Sequence, residues 1–367
     1  MHLYINGRFL TQRFSGVQRF AIELTGAIDA LVGEGAWPAA TILVPPGPAA
    51  PRPYRFLGMR QVGRASGHLW EQLELPYFSR GGFLLNLGNT APLAKGSRQA
   101  VVIHDAGVYD IPHAYSPAFR TWYRTLYRGL AGLDASLVTV SRFSQARLSA
   151  RLHLAPDRIG IMREGSDHIL RDSGDLSGLP VDGKPFVLVV GNLVAHKNLS
   201  ALTACITPLR ERGLALAIVG TGVRTIFQSA GHEALAGALM LGRVTDRQLS
   251  ALYKAATCLI FPSSYEGFGL PAVEAMACGC PVIAQSGGSI AEICAEAALY
   301  FDARVPGSLV DALREVVGDR ERAEAMSRIG LGRSAHYTWR NAASDLSGLL
   351  RDQIGETRRL GTERLVR

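Results

Sequence analysis

The stretch SSYEGFGLPAVEAMACGCPVIA, Ser263 to Ala284, limits what this chain can fold into more than any other. The apolar run Ala256 to Phe261 before it has the character of a strand buried on both faces of a parallel sheet, and Pro262 stops it. Gly267 and Gly269 let the backbone approach a ligand without a Cβ in the way. Pro271 suits the first position of a helix, whose free amides would face back toward the loop with a partial positive charge. The expected unit is strand, glycine turn, short helix and second strand, with an anion pocket at the turn. Glu266 precedes the turn, and Glu274 is expected in the first turn of the helix. Ala272, Ala275, Met276 and Ala277 would give the helix a small face against the sheet.

Taken alone, Glu266 reads equally as a solvated loop carboxylate, and Glu274 as an acidic residue complementing the helix dipole. Together, at the carboxyl end of a strand and beside paired glycines, they point to a ligand site. The segment resembles the E-x7-E signature of the retaining glycosyltransferases of family 4, with a glycine-flanked first glutamate, F-G-L-P and a second glutamate at this spacing. The resemblance implies an α/β chain of GT-B fold: two Rossmann-like, doubly wound domains facing a central cleft, with a C-terminal helix crossing back to the first. The expected division is residues 1–172 plus about 345–367 for acceptor binding, and 173–344 for the nucleotide sugar.

A chain of 367 residues suits two domains of average size. With 47% hydrophobic and 19% charged residues, little of it is expected to be disordered. The five cysteines, Cys205, Cys258, Cys278, Cys280 and Cys294, all lie in the second half and suggest a reducing compartment. Cys278 and Cys280 lack a second ligand pair at metal-binding spacing, so they read as small residues at a helix-to-strand turn. Neither a leader peptide nor a membrane-spanning stretch is evident, and the expected location is cytoplasmic, with the inner face of the membrane as an option. Residues 1–180 hold 19 Lys plus Arg against 13 Asp plus Glu, so the first half carries most of the net charge of +8. No nucleic-acid module accompanies that charge; a phosphate-bearing acceptor or an anionic membrane accounts for it.

In the first half, a strand beginning at His2 runs into a loop with Ser15, Gly16 and Arg19, and a helix follows with Ile22, Leu24, Ala27, Ile28 and Leu31 at helical spacing. The loop is either an ordinary strand-to-helix connection or a phosphate-facing turn; the resemblance implies the latter. It lacks G-x-G-x-x-G, which disfavours an oxidoreductase. Residues 45–67 read as an irregular surface segment. Ala100 to Asp110 is a buried strand ending in His104 and Asp105. His104 is either a satisfied core histidine or a cleft residue; the resemblance implies contact with a donor-sugar hydroxyl, with Asp105 orienting the imidazole. Arg120, Arg124 and Arg128 recur every four residues among Phe119, Trp122, Tyr123 and Tyr127. That helix either packs its aromatics inward or lies on anionic lipid. Leu137 to Leu148 reads as a strand and a helix capped by Ser141 or Ser144.

Asp172 to Pro185 is the expected linker. The strand Phe186 to Val190 follows, then Gly191, and Lys197 ahead of a helix. The resemblance implies an arginine and a lysine on this loop for the donor diphosphate. Lys197 matches, but Asn192 stands at the arginine position with His196 nearby, so Arg243 is the expected second cation. Arg243 and Val244 precede a helix with Asp246 at its N-cap and border the base by the same resemblance. The donor set is thus Gly16, Gly191, Asn192, Lys197, Arg243, Val244, Phe268, Gly269, Leu270 and Glu274, with His104, Glu266 and Lys197 at the reaction and Asp105 and Arg19 on the acceptor side. Tyr337 to Ile354 is the expected long last helix, with Trp339 packing at the hinge.

The resemblance implies retaining transfer of a hexose, mannose- or rhamnose-like, from a nucleotide diphosphate sugar such as GDP-mannose to a glycan or lipid-linked glycan in bacterial surface polysaccharide synthesis. No metal site and no cofactor is expected, the nucleotide sugar being a co-substrate. Glu266 is either a covalent nucleophile, as two close carboxylates allow, or a holder of sugar hydroxyls; the resemblance favours the latter, with Glu274 on the ribose. The rival readings are a sugar-nucleotide epimerase of the same shape and a non-catalytic partner of another transferase.

Overall fold

The computed structural model describes residues 2–47, 54–181, 183–191, 197–220 and 237–351. Two compact units divide the chain, Met1–Gly165 with Trp339 onward, and Ser166–Thr338.

Unit 1 is built on a seven-stranded parallel sheet: β1 (Leu3–Asn6), β2 (Ala40–Val44), β3 (Gly58–Gln61), β4 (Phe83–Asn86), β5 (Gln99–Val102), β6 (Ser136–Thr139) and β7 (Ile159–Ile161). Their order is β3-β2-β1-β4-β5-β6-β7, so the chain winds one way from β1 and the other way from β4. The strand residues alternate poorly because both faces are covered; all four residues of β4 and of β5 are buried. α1 (Gly16–Gly33) buries Phe20, Leu24 and Ile28. The helix Trp339–Leu349 packs on α1, with Trp339 2% exposed and 5.8 Å from the Phe20 ring. Trp339 is therefore a core residue of unit 1.

α2 (Pro117–Gly132) starts where Ser116 accepts from Phe119 N, and α3 (Arg142–Leu152) where Ser141 accepts from Ser144 N, choosing between the two serines of the expectation. The segment expected to be irregular, 45–67, contains β3, an exposed edge strand paired with β2 from Thr41↔Gly58 to Val44↔Gln61. Its polar sequence suits an edge rather than a core strand, which is why it carries no hydrophobic signal. Residues 48–53 lie outside the described residues.

Unit 2 has a six-stranded parallel sheet: β8 (Phe186–Val190), β9 (Ala215–Val219), β10 (Leu239–Gly242), β11 (Leu259–Phe261), β12 (Val282–Gln285) and β13 (Ala298–Phe301). The order β10-β9-β8-β11-β12-β13 again reverses direction beside the first strand, here between β8 and β11. Val187, Val189, Leu202, Ile218, Ile260, Ile283 and Phe301 belong to its core. α4 (Asp246–Ala255) is capped by Thr245, not Asp246: Thr245 Oγ1 accepts from Gln248 N while Gln248 reaches back to Thr245 N. The reciprocal pair satisfies two donors where Asp246 would satisfy one. α5 (Leu270–Ala277) and α6 (Gly288–Cys294) follow β11 and β12.

The division falls at Gly165 and Thr338, a few residues before both expected boundaries. Ser166 N donates to Tyr337 O at 2.8 Å, and the short turn Asp167–Leu170 packs on α4 and α5, which binds these residues into unit 2.

Candidate active site

In an open α/β sheet, ligands bind beyond the carboxyl ends of the strands where the winding reverses. In unit 2 that point lies between β8 and β11. The loop after β8 brings Gly191 and Lys197, and the loop after β11 brings Glu266 to Gly269. Lys197 Nζ donates to Glu266 Oε1, and the two side chains are 16% and 17% exposed. The ammonium also lies 5.4 Å from the Phe261 ring centroid. Gly191 adopts φ +149°, a conformation that L side chains rarely take, so the turn after β8 favours glycine for its backbone.

Gly269 adopts φ +101° and caps α5; Ala272 N reaches its carbonyl at 2.9 Å. Ser289 Oγ, from α6, lies 2.9 Å from Glu266 O and 3.2 Å from Phe268 O, fixing the loop that carries the carboxylate. Phe268 is buried against Tyr337, and Leu270 opens the helix. The small face of α5 is as expected: Ala272, Ala275, Met276 and Ala277 are buried.

Two details differ from the sequence reading. α5 begins at Leu270, so Pro271 is its second residue and Glu274 falls beyond its first turn. Glu274 is 5% exposed, and both its oxygens are engaged: Oε1 lies 3.0 Å from His168 Nε2, and Oε2 accepts from Tyr253 O–H at 2.9 Å. Burial and the neighbouring Glu274 hold the Tyr253 phenol well above its ordinary range, so it stays a donor. Neither His168 nor Tyr253 was evident from sequence, because their partner lies 106 and 21 residues away.

Arg243 is exposed just past β10, at the edge of the sheet, with β9 between it and β8; Val244 beside it is half-buried. Asn192 and His196 lie outside the described residues.

In unit 1, His104 sits two residues past β5, 7% exposed, edge-on to Phe20 at 4.4 Å. Its Nδ1 lies 3.2 Å from Glu164 Oε1 and its Nε2 3.3 Å from Leu87 O. The carboxylate orienting the imidazole is thus Glu164 and not Asp105, whose Oδ1 instead accepts from Gly107 N at 2.6 Å and closes a local turn. A carboxylate two residues ahead of a free amide takes that bond first, whereas Glu164 arrives from 60 residues away. Gly16 opens α1 with its Cα facing open space, and Arg19 pairs with Glu23 at 3.2 Å while stacking over Phe14. Of the arginines on α2, Arg120 donates to Pro112 O at 3.1 Å and Arg124 to Val108 O at 2.8 Å, while Arg128 is exposed. Tyr127 packs inward, whereas Phe119 and Trp122 are exposed, so inward packing holds for only part of the aromatic set. Among the described residues, no helix is long and apolar enough to cross a membrane.

Comparison with known proteins bears on both units. Residues 177–332 match the family "Glycosyl transferases group 1". The chain is 28% identical over 265 residues to the O-antigen chain mannosyltransferase B of Escherichia coli, covering 67% of this chain and 68% of that one. Sucrose-phosphate synthase from Thermosynechococcus elongatus superposes with a TM-score of 0.72 at 20% identity, over 96% of this chain and 99% of that one. Anabaena Alr3699/HepE, solved in complex with UDP, gives 0.71 at 15% identity over 96% and 100%. The fold is that of the GT-B glycosyltransferases, two Rossmann-like parallel α/β domains.

Proposed function

We propose that the protein transfers a hexose from a nucleotide diphosphate sugar to a glycan or lipid-linked glycan, with retention at the anomeric carbon, a reading supported by the match of residues 177–332 to the group 1 glycosyltransferases. The observation that carries this reading is the Lys197–Glu266 pair at the winding reversal of unit 2, beside the glycine turn into α5. Each partner neutralises the other before a ligand arrives. A departing diphosphate takes the Lys197 ammonium as a charge-assisted donor, and Glu266 is released to accept from hydroxyls of the sugar. Amides of Phe268 to Leu270 add to the same anion pocket.

In this reading Glu266 holds and does not attack. The leaving phosphate takes the proton of the acceptor hydroxyl as the new glycosidic bond forms on the same face. Glu274, held by His168 and Tyr253, receives the ribose hydroxyls. His104, held by Glu164, contacts a hydroxyl of the transferred sugar. No metal is assigned a role. The likeness to an O-antigen chain mannosyltransferase supports a mannose-like sugar and a place in surface polysaccharide synthesis; a GDP-linked donor such as GDP-mannose is part of the same proposal. Of the three arginines proposed for contact with an anionic membrane, Arg120 and Arg124 are committed to carbonyls, which leaves Arg128.

The test incubates the full chain with UDP-, GDP- and ADP-hexoses and acceptor extract, following sugar incorporation and the anomeric configuration of the product by NMR. Glu266→Ala should abolish transfer, while Glu274→Ala should chiefly weaken nucleotide binding. Unchanged kinetics in both variants would sink the assignment. Isomerisation of the donor without an acceptor would identify an epimerase, and absence of nucleotide binding a non-catalytic partner.

A further inference from the structure

The sheet of unit 1 has a winding reversal of its own, between β1 and β4. Past its carboxyl end lies a charged cluster that the donor site does not use. Arg8 and Glu71 are 5% and 1% exposed. Glu71 Oε1 accepts from Asn6 Nδ2 at 2.8 Å and Thr90 Oγ1 at 2.9 Å, and lies 3.2 Å from Arg8 Nε. Arg8 NH2 donates to Thr90 Oγ1 at 2.7 Å. The remaining arm, NH1, lies 3.1 Å from Nδ1 of His68.

That last contact fixes a tautomer. A guanidinium only donates, so Nδ1 is the acceptor and the ring proton sits on Nε2. The competing arrangement, Nδ1–H toward Glu71 Oε2, would span 3.4 Å, beyond an ordinary hydrogen bond. Glu71 Oε2 is consequently a buried acceptor without a hydrogen-bond partner. The His68 side chain is 43% exposed and packs edge-on against Trp122, 5.4 Å between centroids, and Tyr123, 6.4 Å. Trp122 is 36% exposed, whereas Trp37, Trp70 and Trp339 are at most 3% exposed.

We infer that this cluster is an acceptor subsite: His68 Nε2–H donates to a hydroxyl of a pyranose ring, and the exposed Trp122 ring covers one face of that sugar. The inference rests on the transferase reading and deepens it. The Arg8 charge is matched by Glu71, which favours a neutral polyol over a phosphate. The buried Glu71 Oε2 lies on the Nδ1 side of His68, so with Arg8 it holds the ring, while the Nε2–H on the other side suits a hydroxyl and the indole suits an apolar ring face. Arg8 and Glu71 act through His68 and are positioning residues.

Because three of the four tryptophans are buried, the full chain labelled with 5-fluorotryptophan has one surface reporter, assigned through Trp122→Phe. Methyl α-D-mannopyranoside, methyl α-D-glucopyranoside and methyl α-L-rhamnopyranoside are titrated separately, with inorganic phosphate as a further arm. At least one glycoside should shift the Trp122 fluorine resonance saturably. His68→Ala should weaken that binding about fivefold, the loss of one net hydrogen bond, and His68→Gln, which restores an N–H donor, should recover part of it. A shift with phosphate but with no glycoside, flat titrations with all three glycosides up to their solubility, or an affinity unchanged in His68→Ala each overturns the proposal. Nucleoside diphosphate binding measured on the same sample separates the two claims: binding with a silent Trp122 refutes this subsite alone, and loss of both refutes the transferase reading.

Discussion

Replacing Gly269 by alanine tests the turn that joins Glu266 to α5. Its backbone, at φ +101° and ψ +45°, lies in a region that L side chains rarely adopt, and an alanine there costs about 1–2 kcal/mol. A Cβ at this position would stand 2.1 Å from Ile290 Cδ1. That atom ends a flexible side chain, so the clash is relieved by driving Ile290 off its rotamer, for about 0.5–1.5 kcal/mol more. The sum is roughly 1.5–3.5 kcal/mol. Urea unfolding of the full chain followed by far-ultraviolet circular dichroism reads it; tryptophan fluorescence does not, since all four tryptophans lie in unit 1. Ile290→Val removes Cδ1, so its usual cost of about 1 kcal/mol should shrink or vanish beside Gly269→Ala, leaving only the backbone share. A Gly269→Ala protein within about 0.5 kcal/mol of the parent, the ordinary scatter of surface changes, would refute the reasoning.

Further expectations concern titration. Lys95 is buried with its Nζ donating to Ser79 O, and loss of hydration lowers its pKa from 10.5 to about 8. Below pH 8 it is charged in both states; between about 8 and 10.5 only the unfolded chain keeps the proton. Its contribution to stability therefore rises with pH across that window, and denaturation of Lys95→Met against the parent at several pH values should show the slope disappear; parallel profiles would contradict it. Burial pushes the Cys258 and Cys294 thiols up to about 12 and those of Cys205 and Cys278 to about 11. A thiol reagent at neutral pH should label the native chain far more slowly than the denatured one, which exposes all five. Rapid native labelling of more than the half-buried Cys278 would contradict the packing of this core.

The strand-glycine-helix units were legible because each is local: Phe186 to Val190 is a strand with the expected bounds, and the turn before α5 is written in Gly267, Gly269 and Pro271. The pairing of Lys197 with Glu266 follows from the two loops flanking one reversal of the sheet. What sequence did not give are partners brought by topology. Glu164 reaches His104, His168 reaches Glu274, and Arg8 reaches His68 and Glu71, each across 60 residues or more. Local rivals also misled: Asp105 is spent on Gly107 N, and Thr245 wins the cap from Asp246 by its reciprocal bond with Gln248.

The central claim is that unit 2 binds a nucleoside diphosphate through Lys197. Calorimetric titration of the full chain with UDP, GDP and ADP tests it most directly. At least one should bind saturably, and Lys197→Ala should weaken that binding tenfold or more, about 1.5–3 kcal/mol for a hydrogen bond to a charged group. Heats no different from dilution for all three, or an affinity that Lys197→Ala leaves unchanged, would contradict the account.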